Sequence, residues 1–428
     1  MNMKLDLRTK ALIIPLLLML AANSWLAAQI TNDNKTYDPN IQTVLLYEGS
    51  DQLSDPVLVL GSGKRLHLSF DDMGDDAYIF RYTIIHCSSD WQTTDLEQIK
   101  YLEGYFEDEI YDYKFSLNAV PQYIHYNLVF PNENMDIKLS GNYIIKVYID
   151  SPEPENVILT RRFFVVEPLA RIEASIPYYP KKMEYTRLKQ QIDLKIHTPD
   201  LFSAEPETRI IVNIRQNGRW DNMKKNLKPT SIMMNTLEYN YADGIVFDGG
   251  NEFRNFDMKS FYYQSPQIQR IISDENGYNI ILHADAPRKG KPYETLDDIN
   301  GRRLIKARNS QDTDIEGEYA VVDFTLFSKK IQDADVYIMG QLNDWKMDEK
   351  NRMHFNPRTN RYYGSLFLKQ GYYDYNYVVR KKGQDVGDIT VIEGDNWDTT
   401  NDYYVYVYYK ERVPEYDRLV GYLKFGSH

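Results

Sequence analysis

Only one cysteine, Cys87, occurs in 428 residues, so no internal disulfide can form and apolar burial must hold the fold. Cys87 follows His86, a pairing that looks like a catalytic dyad on paper. Adjacent side chains of a strand point to opposite faces, so the expectation is a buried, inert thiol. Histidine is equally sparse. His67, His86, His125, His197, His283, His354 and His428 are dispersed, with no close pair of the kind a metallohydrolase uses. Gly61-Ser62-Gly63 lacks the spacing of a nucleophile elbow, and no glycine-rich phosphate loop precedes a helix. The expectation is therefore not an enzyme: no catalytic residue, no metal ligand and no cofactor.

A basic surplus is missing as well. The 50 Lys and Arg face 62 Asp and Glu, and such a surface repels phosphate backbones and anionic lipid. Neither nucleic-acid binding nor adsorption to a bare membrane is expected on that ground, and with no later segment apolar enough to span, no direct membrane insertion is expected either. The acidic run Asp71-Asp72-Met73-Gly74-Asp75-Asp76 is the best gathering of oxygens for Ca²⁺. Its spacing departs from the usual calcium loop, so a solvated hairpin between Phe70 and Tyr78 is expected, with Ca²⁺ as the alternative.

Long apolar runs are confined to the start. Lys4, Arg8 and Lys10 precede Ala11 to Ala22, which is broken only by Pro15, and Ala27 and Ala28 stand before Gln29. A cationic head, a short apolar core and small residues describe a signal peptide, with cleavage expected after Ala28. The run falls short of the roughly 20 residues a bilayer span needs. Removing Lys4, Arg8, Lys10 and Asp6 with it leaves 47 basic against 61 acidic residues, a net charge of −14. Cys87 does not lie where a lipoprotein would carry its lipid, so a soluble exported protein is expected.

What the chain does have is tyrosine, 36 of them, a residue that favours pleated half-buried surfaces and interfaces. Alternation of period two dominates: Leu66, Leu68 and Phe70 share one face, and Tyr78 to His86 and Asn142 to Tyr148 read as long strands. About seven such strands over Asn40 to Glu167 match an immunoglobulin-like sandwich. Helical periodicity is absent apart from one short candidate, Glu97 to Tyr105. Pro168 and Pro177-Tyr178-Tyr179-Pro180 mark a boundary. The fold class expected is all-β, with tandem immunoglobulin-like sandwiches. The expected division is a signal peptide over 1–28, sandwiches over 29–168, 169–315 and 316–412, and a tail over 413–428.

Several stretches taken in order resemble one family. They include Tyr82-Thr83-Ile84-Ile85-His86-Cys87-Ser88-Ser89-Asp90-Trp91, Asn217-Gly218-Arg219-Trp220-Asp221-Asn222 and Asn251-Glu252-Phe253-Arg254-Asn255-Phe256-Asp257-Met258-Lys259-Ser260. Together they resemble the plug protein family of the Bacteroidetes type IX secretion system. The resemblance implies a non-catalytic periplasmic stopper, peripheral to the outer membrane, that closes a large outer-membrane β-barrel translocon by shape. It implies a monomer outside that complex. Exposed Trp and Arg pairs anchor interfaces, so Trp91, Arg219, Trp220, Phe253, Arg254 and Phe256 are the candidate partner-binding residues. The competing reading makes these tryptophans core and these arginines internal braces.

The last third resembles early-set immunoglobulin-like modules related to glycogen-binding domains. Val336 to Gly340, then Gln341-Leu342-Asn343-Asp344-Trp345, then Gly371-Tyr372-Tyr373-Asp374-Tyr375-Asn376-Tyr377 carry that likeness. Asn376 stands where that family has a lysine, and no second aromatic follows near Gly383. A periplasmic carbohydrate-binding protein of a polysaccharide-utilisation system is the alternative function, and Trp345 is the residue it would rest on.

Overall fold

The computed structural model describes residues 30–427 apart from 200, 202–204, 241–243 and 276. The expected signal peptide lies outside the described residues. The chain is almost entirely strands, as the alternation requires. Its first domain is a sandwich of two antiparallel sheets. One runs Lys35–Thr36, Val157–Val166, Gly141–Tyr148, Phe80–Cys87, Glu107–Ile110, and the other Ile41–Glu48, Leu66–Asp72, Ile124–Phe130, Asp112–Phe115. Leu66, Leu68 and Phe70 face inward and are fully buried with Phe80, Tyr82, Ile84 and Phe163. Asp112–Phe115 ends its sheet, with all four residues exposed. Glu97 to Tyr105 gives one helical turn, Gln98–Tyr101, and a short strand, Leu102–Gly104.

Beyond residue 168 the strands are shared differently from the expected division at 315 and 412. Arg254–Asp257, Ile268–Asp274, Gly277–Leu282 and Arg303–Ile305 belong to the middle sandwich by position in the chain. They pair instead into the last, nine-stranded sheet, against Gly371–Lys381 and Tyr319–Leu326. Conversely, Asp402–Arg412 pairs with Ile210–Gln216 and returns the chain to the middle domain. The expected tail over 413–428 is the strand Glu415–Gly426, hairpinned onto Asp402–Arg412.

The reason for that return is visible along one strand. Tyr403, Val405, Val407 and Tyr409 enter the middle core with Ile192, Leu194 and Phe247. Tyr404, Tyr406 and Tyr408, on the opposite face, pack with Trp91, Ile144 and Phe164 of the first domain. A strand apolar on both faces is stable only where it is covered on both. Here it forms the partition between two domains.

Candidate functional site

Trp91, Arg219 and Trp220 meet at domain junctions, Phe253 packs on Trp345, and Arg254 and Phe256 belong to the strand Arg254–Asp257 and pack within the last domain. Trp91 is 4% exposed and packs edge-on against Trp220 of the middle domain, ring centroids 5.5 Å apart. The Arg162 guanidinium sits over both indoles, 4.3 Å from Trp91 and 4.5 Å from Trp220. Arg215 covers Trp220 at 4.3 Å and Tyr404 at 4.6 Å. These cation–π stacks form a ladder through the partition, in a site where partial desolvation strengthens each one.

Arg219 is buried and paired with Asp221 through both Nε and Nη2, at 3.0 and 2.6 Å. Its Nη2 also donates to the Gly387 carbonyl at 2.6 Å, and the Gly387 N–H donates to Asp221. That pair clamps a middle-domain turn to the last domain. Arg254 donates to Glu393 and to Asp285, and Arg288 donates to the same Glu393 carboxylate. Burial alone would raise the Glu393 carboxyl, but Arg254 and Arg288 outweigh it and hold it below its ordinary value. Phe256 is fully buried and stacks on Tyr373 at 5.3 Å, and Phe253 meets Trp345 edge-on at 5.8 Å. The expectation of an exposed partner-binding set at these six positions is therefore corrected. For Trp91, Trp220 and Arg219 the aromatic and arginine chemistry is that of an interface, but the interface is internal; Arg254 and Phe256 brace the last domain from within.

Asp71 departs from expectation too. The strand Leu66–Asp72 runs through it, so Asp71 is not part of a solvated hairpin. Its carboxylate accepts from His125 Nδ1 at 2.5 Å and from the Tyr319 hydroxyl at 2.5 Å, and Lys369 Nζ lies 2.7 Å away. Those three partners occupy it. Among the described residues no group of three or more His, Cys, Asp or Glu side chains is placed to hold a metal ion. Cys87 is buried and free, and burial pushes its thiol up to about 12. Burial lowers the neighbouring His86 to about 4, and its ring packs among Tyr101, Tyr143 and Tyr416.

Trp345 is half-buried between two glycine backbones rather than displayed on the surface. A Cβ on Gly218 or on Gly301 would collide with the indole, which shows how closely both backbones cover it. Both glycines are needed there for close approach rather than for a turn alone.

Exposed aromatics lie elsewhere: Tyr178 and Tyr179 in the middle domain, Tyr262 and Tyr263 beside the last sheet, and a larger group on the first domain. Tyr105, Tyr111 and Phe115 are 64, 66 and 58% exposed, with Tyr113 in edge contact with Phe115. Tyr113 also touches Tyr126, whose hydroxyl binds the backbone of the exposed Tyr78. These residues border the free edge strand Asp112–Phe115, interleaved with Glu107, Asp108, Glu109 and Asp112. Sequence reasoning missed this face. Its signal was an aromatic at every second position of Tyr111, Tyr113 and Phe115 with charges between, which also describes a strand buried on one side.

Residues 41–167 match the family described as the Type 9 secretion system plug protein 1st domain. No curated protein matches the chain. A crystal structure of a hypothetical protein from Parabacteroides merdae is 32% identical, covers 93% of this chain and 100% of that one, and superposes with a TM-score of 0.89. Trypsin-activated alpha-2-macroglobulin from Escherichia coli aligns at 8% identity over 90% of this chain and 28% of that one. Its TM-score of 0.17 carries no weight for the fold. The chain belongs to the same family as the Parabacteroides merdae protein.

Proposed function

We propose that this chain, a relative of the Parabacteroides merdae protein with a plug-type first domain, is a non-catalytic periplasmic plug. It would bind the periplasmic side of the outer-membrane β-barrel translocon of the type IX secretion system and seal its pore. The observation that carries this reading is the family match over residues 41–167, within a chain that aligns over nearly its whole length to one solved relative. A stopper acts by occupancy, so it needs a rigid body and no chemistry. The internal arginine–aromatic ladder and the buried Asp71–Lys369 pair supply rigidity across domain boundaries, and the Arg254–Glu393 pair does so within the last domain. No helix among the described residues is long and apolar enough to cross a membrane. Docking is assigned to the exposed aromatic edge of the first domain, which lies inside the matched region.

Plug release during cargo loading would be a population shift set by differential contacts in the two translocon states. The test is uptake of a large antibiotic normally excluded by the outer membrane. Loss of the plug should produce a leak, and loss of plug and barrel together should not. A leak that persists without the barrel, or no leak at all, would remove the proposal.

A further inference from the structure

We infer that the cavity where the three domains meet is a binding site for a small oxyanion, a carboxylate or a phosphate-like group. The cavity has a volume of about 110 Å³, room for several water molecules and hence for such a group. Five arginines line it: Arg161 and Arg162 from the first domain, Arg215 from the middle one, and Arg302 and Arg303 from the segment that enters the last sheet. Its walls are aromatic, from Phe164, Trp220, Tyr404 and Tyr406. So dense a cationic cluster stands out in a chain with a net charge of −12.

The internal charges do not balance. Arg161 pairs with Asp344 at 3.1 Å, Arg162 with Asp33 at 3.5 Å, and Arg302 with Asp55 at 3.1 Å and Asp402 at 3.6 Å. Lys346 shares Asp33, and Lys424 shares Asp55 and Asp402. Five cationic side chains thus share four carboxylates, and Arg215 and Arg303 have no carboxylate in ion-pair reach among the described residues. Both are more than nine-tenths buried, at 8 and 7% exposure, and the Nε of each is buried without a hydrogen-bond partner.

Two guanidinium groups buried beside one cavity without a carboxylate to balance them are costly unless something else supplies the charge. The like charges also act on one another. Burial, and then the neighbouring Arg303, weakens the hold of Arg161 on its proton. Arg162 is pushed down to about 10 by burial, with Arg215 adding to that and Asp33 opposing it. An oxyanion would cancel the repulsion and bridge all three domains through planar, fork-like guanidinium contacts. This site stands apart from the plug reading, and its test needs no translocon.

The test is thermal unfolding of the purified mature chain in chloride, phosphate and acetate at matched ionic strength. The phosphate and acetate arms separate a tetrahedral oxyanion from a planar carboxylate. Binding to the folded state should raise Tm above the chloride control by roughly 1–4 °C at anion concentrations well above Kd. Arg215→Met and Arg303→Met should each abolish the rise, measured against the variant's own Tm in chloride, since Arg215→Met also removes the stacking on Trp220 and Tyr404 and Arg303→Met the bond to the Val44 carbonyl. Equal Tm of the wild-type chain in all three salts would overturn the site, as would a full rise in Arg215→Met. Calorimetric titration of the wild-type chain reads the same binding without any variant. No heat above the chloride blank at millimolar phosphate and acetate would overturn the assignment even if both variants failed to fold.

Discussion

Lys369 Nζ lies 2.7 Å from Asp71 Oδ2 with both side chains 1% exposed, although 298 residues separate them. One belongs to the first sandwich and the other to the last sheet, so this pair is a cross-domain staple in a dry site. Lys369 also covers the Tyr123 ring at 4.1 Å. An ion pair this buried gains little over an apolar pair, but breaking it strands a charge. Its contribution is therefore to specificity of docking between the domains.

From this follows the first prediction. Lys369→Met should destabilise the chain by about 3–5 kcal/mol, because Asp71 is left buried with a charge. Lys369→Met combined with Asp71→Asn should recover a large part of that loss. Chemical denaturation of the two single variants and the double variant measures the coupling; simple additivity would show that the staple is not real.

The ladder gives the second prediction. Trp91→Ala removes a buried indole from between Phe164, Trp220 and the Arg162 guanidinium, and should cost about 3–5 kcal/mol. Barrel capture by whatever fraction stays folded should be unchanged, because the side chain faces inward. Reduced capture at full stability would return Trp91 to the docking surface.

These placements show how far the sequence could be read. The first sandwich was legible because its strands are contiguous and Leu66, Leu68 and Phe70 alternate against one core. The exchange of strands between the later domains was not, because alternation marks a strand without naming its partner across nearly 200 residues. One clue was present. Tyr403 to Tyr409 carries no polar alternation, and such a run must be covered on both faces. Asp71 read as loop because its compensating lysine is remote in sequence. Trp91, Trp220 and Arg219 read as a partner surface because interface composition is the same whether the partner is another protein or another domain.

The third prediction concerns the exposed face. Tyr111→Asp and Phe115→Asp alter side chains that are mostly in solvent, so folding stability should stay within about 0.5 kcal/mol of wild type. Capture by solubilised translocon should fall at least about tenfold, which corresponds to ~1.4 kcal/mol of docking energy. Unchanged capture by both variants would move the docking surface elsewhere on the molecule.

Trp345 supplies the fourth. Its ring is approached closely by Gly218 and Gly301 and meets Phe253 edge-on, and among the described residues no second exposed aromatic stands beside it to complete a pyranose platform. The purified chain should migrate unretarded through a native gel containing glycogen. Retardation that Trp345→Ala abolishes would restore the carbohydrate-binding alternative.

The last prediction is a pH dependence with an unusual sign. Asp374 sits fully buried in the strand Gly371–Lys381, beside Asp298, and accepts from the Ile299 and Gly301 N–H groups. Burial, reinforced by the charge of Asp298, pushes its carboxyl up to about 8 despite those donors, and burial lifts Asp298 to about 6. In the unfolded chain an aspartate titrates near 3.9, at about its ordinary value. Between about pH 4 and 8 the folded state therefore holds a proton that the unfolded state has released, so stability falls as pH rises through this window. Asp71, Asp221 and Glu393 have the opposite sign. Each is held below its ordinary value by cationic partners, so the stability they add is present above about pH 4 and lost on acidification. Greatest stability is accordingly expected on the mildly acidic side. Asp374→Asn keeps an acceptor for Ile299 and Gly301 and removes the titration. It should stabilise the chain by on the order of 5 kcal/mol at pH 8, since each tenfold difference in proton affinity between folded and unfolded chain corresponds to about 1.4 kcal/mol, and by only about 1 kcal/mol near pH 5. Urea midpoints at pH 5, 6.5 and 8 decide it, and curves for variant and wild type that stay parallel across that range would rule out a buried, protonated Asp374.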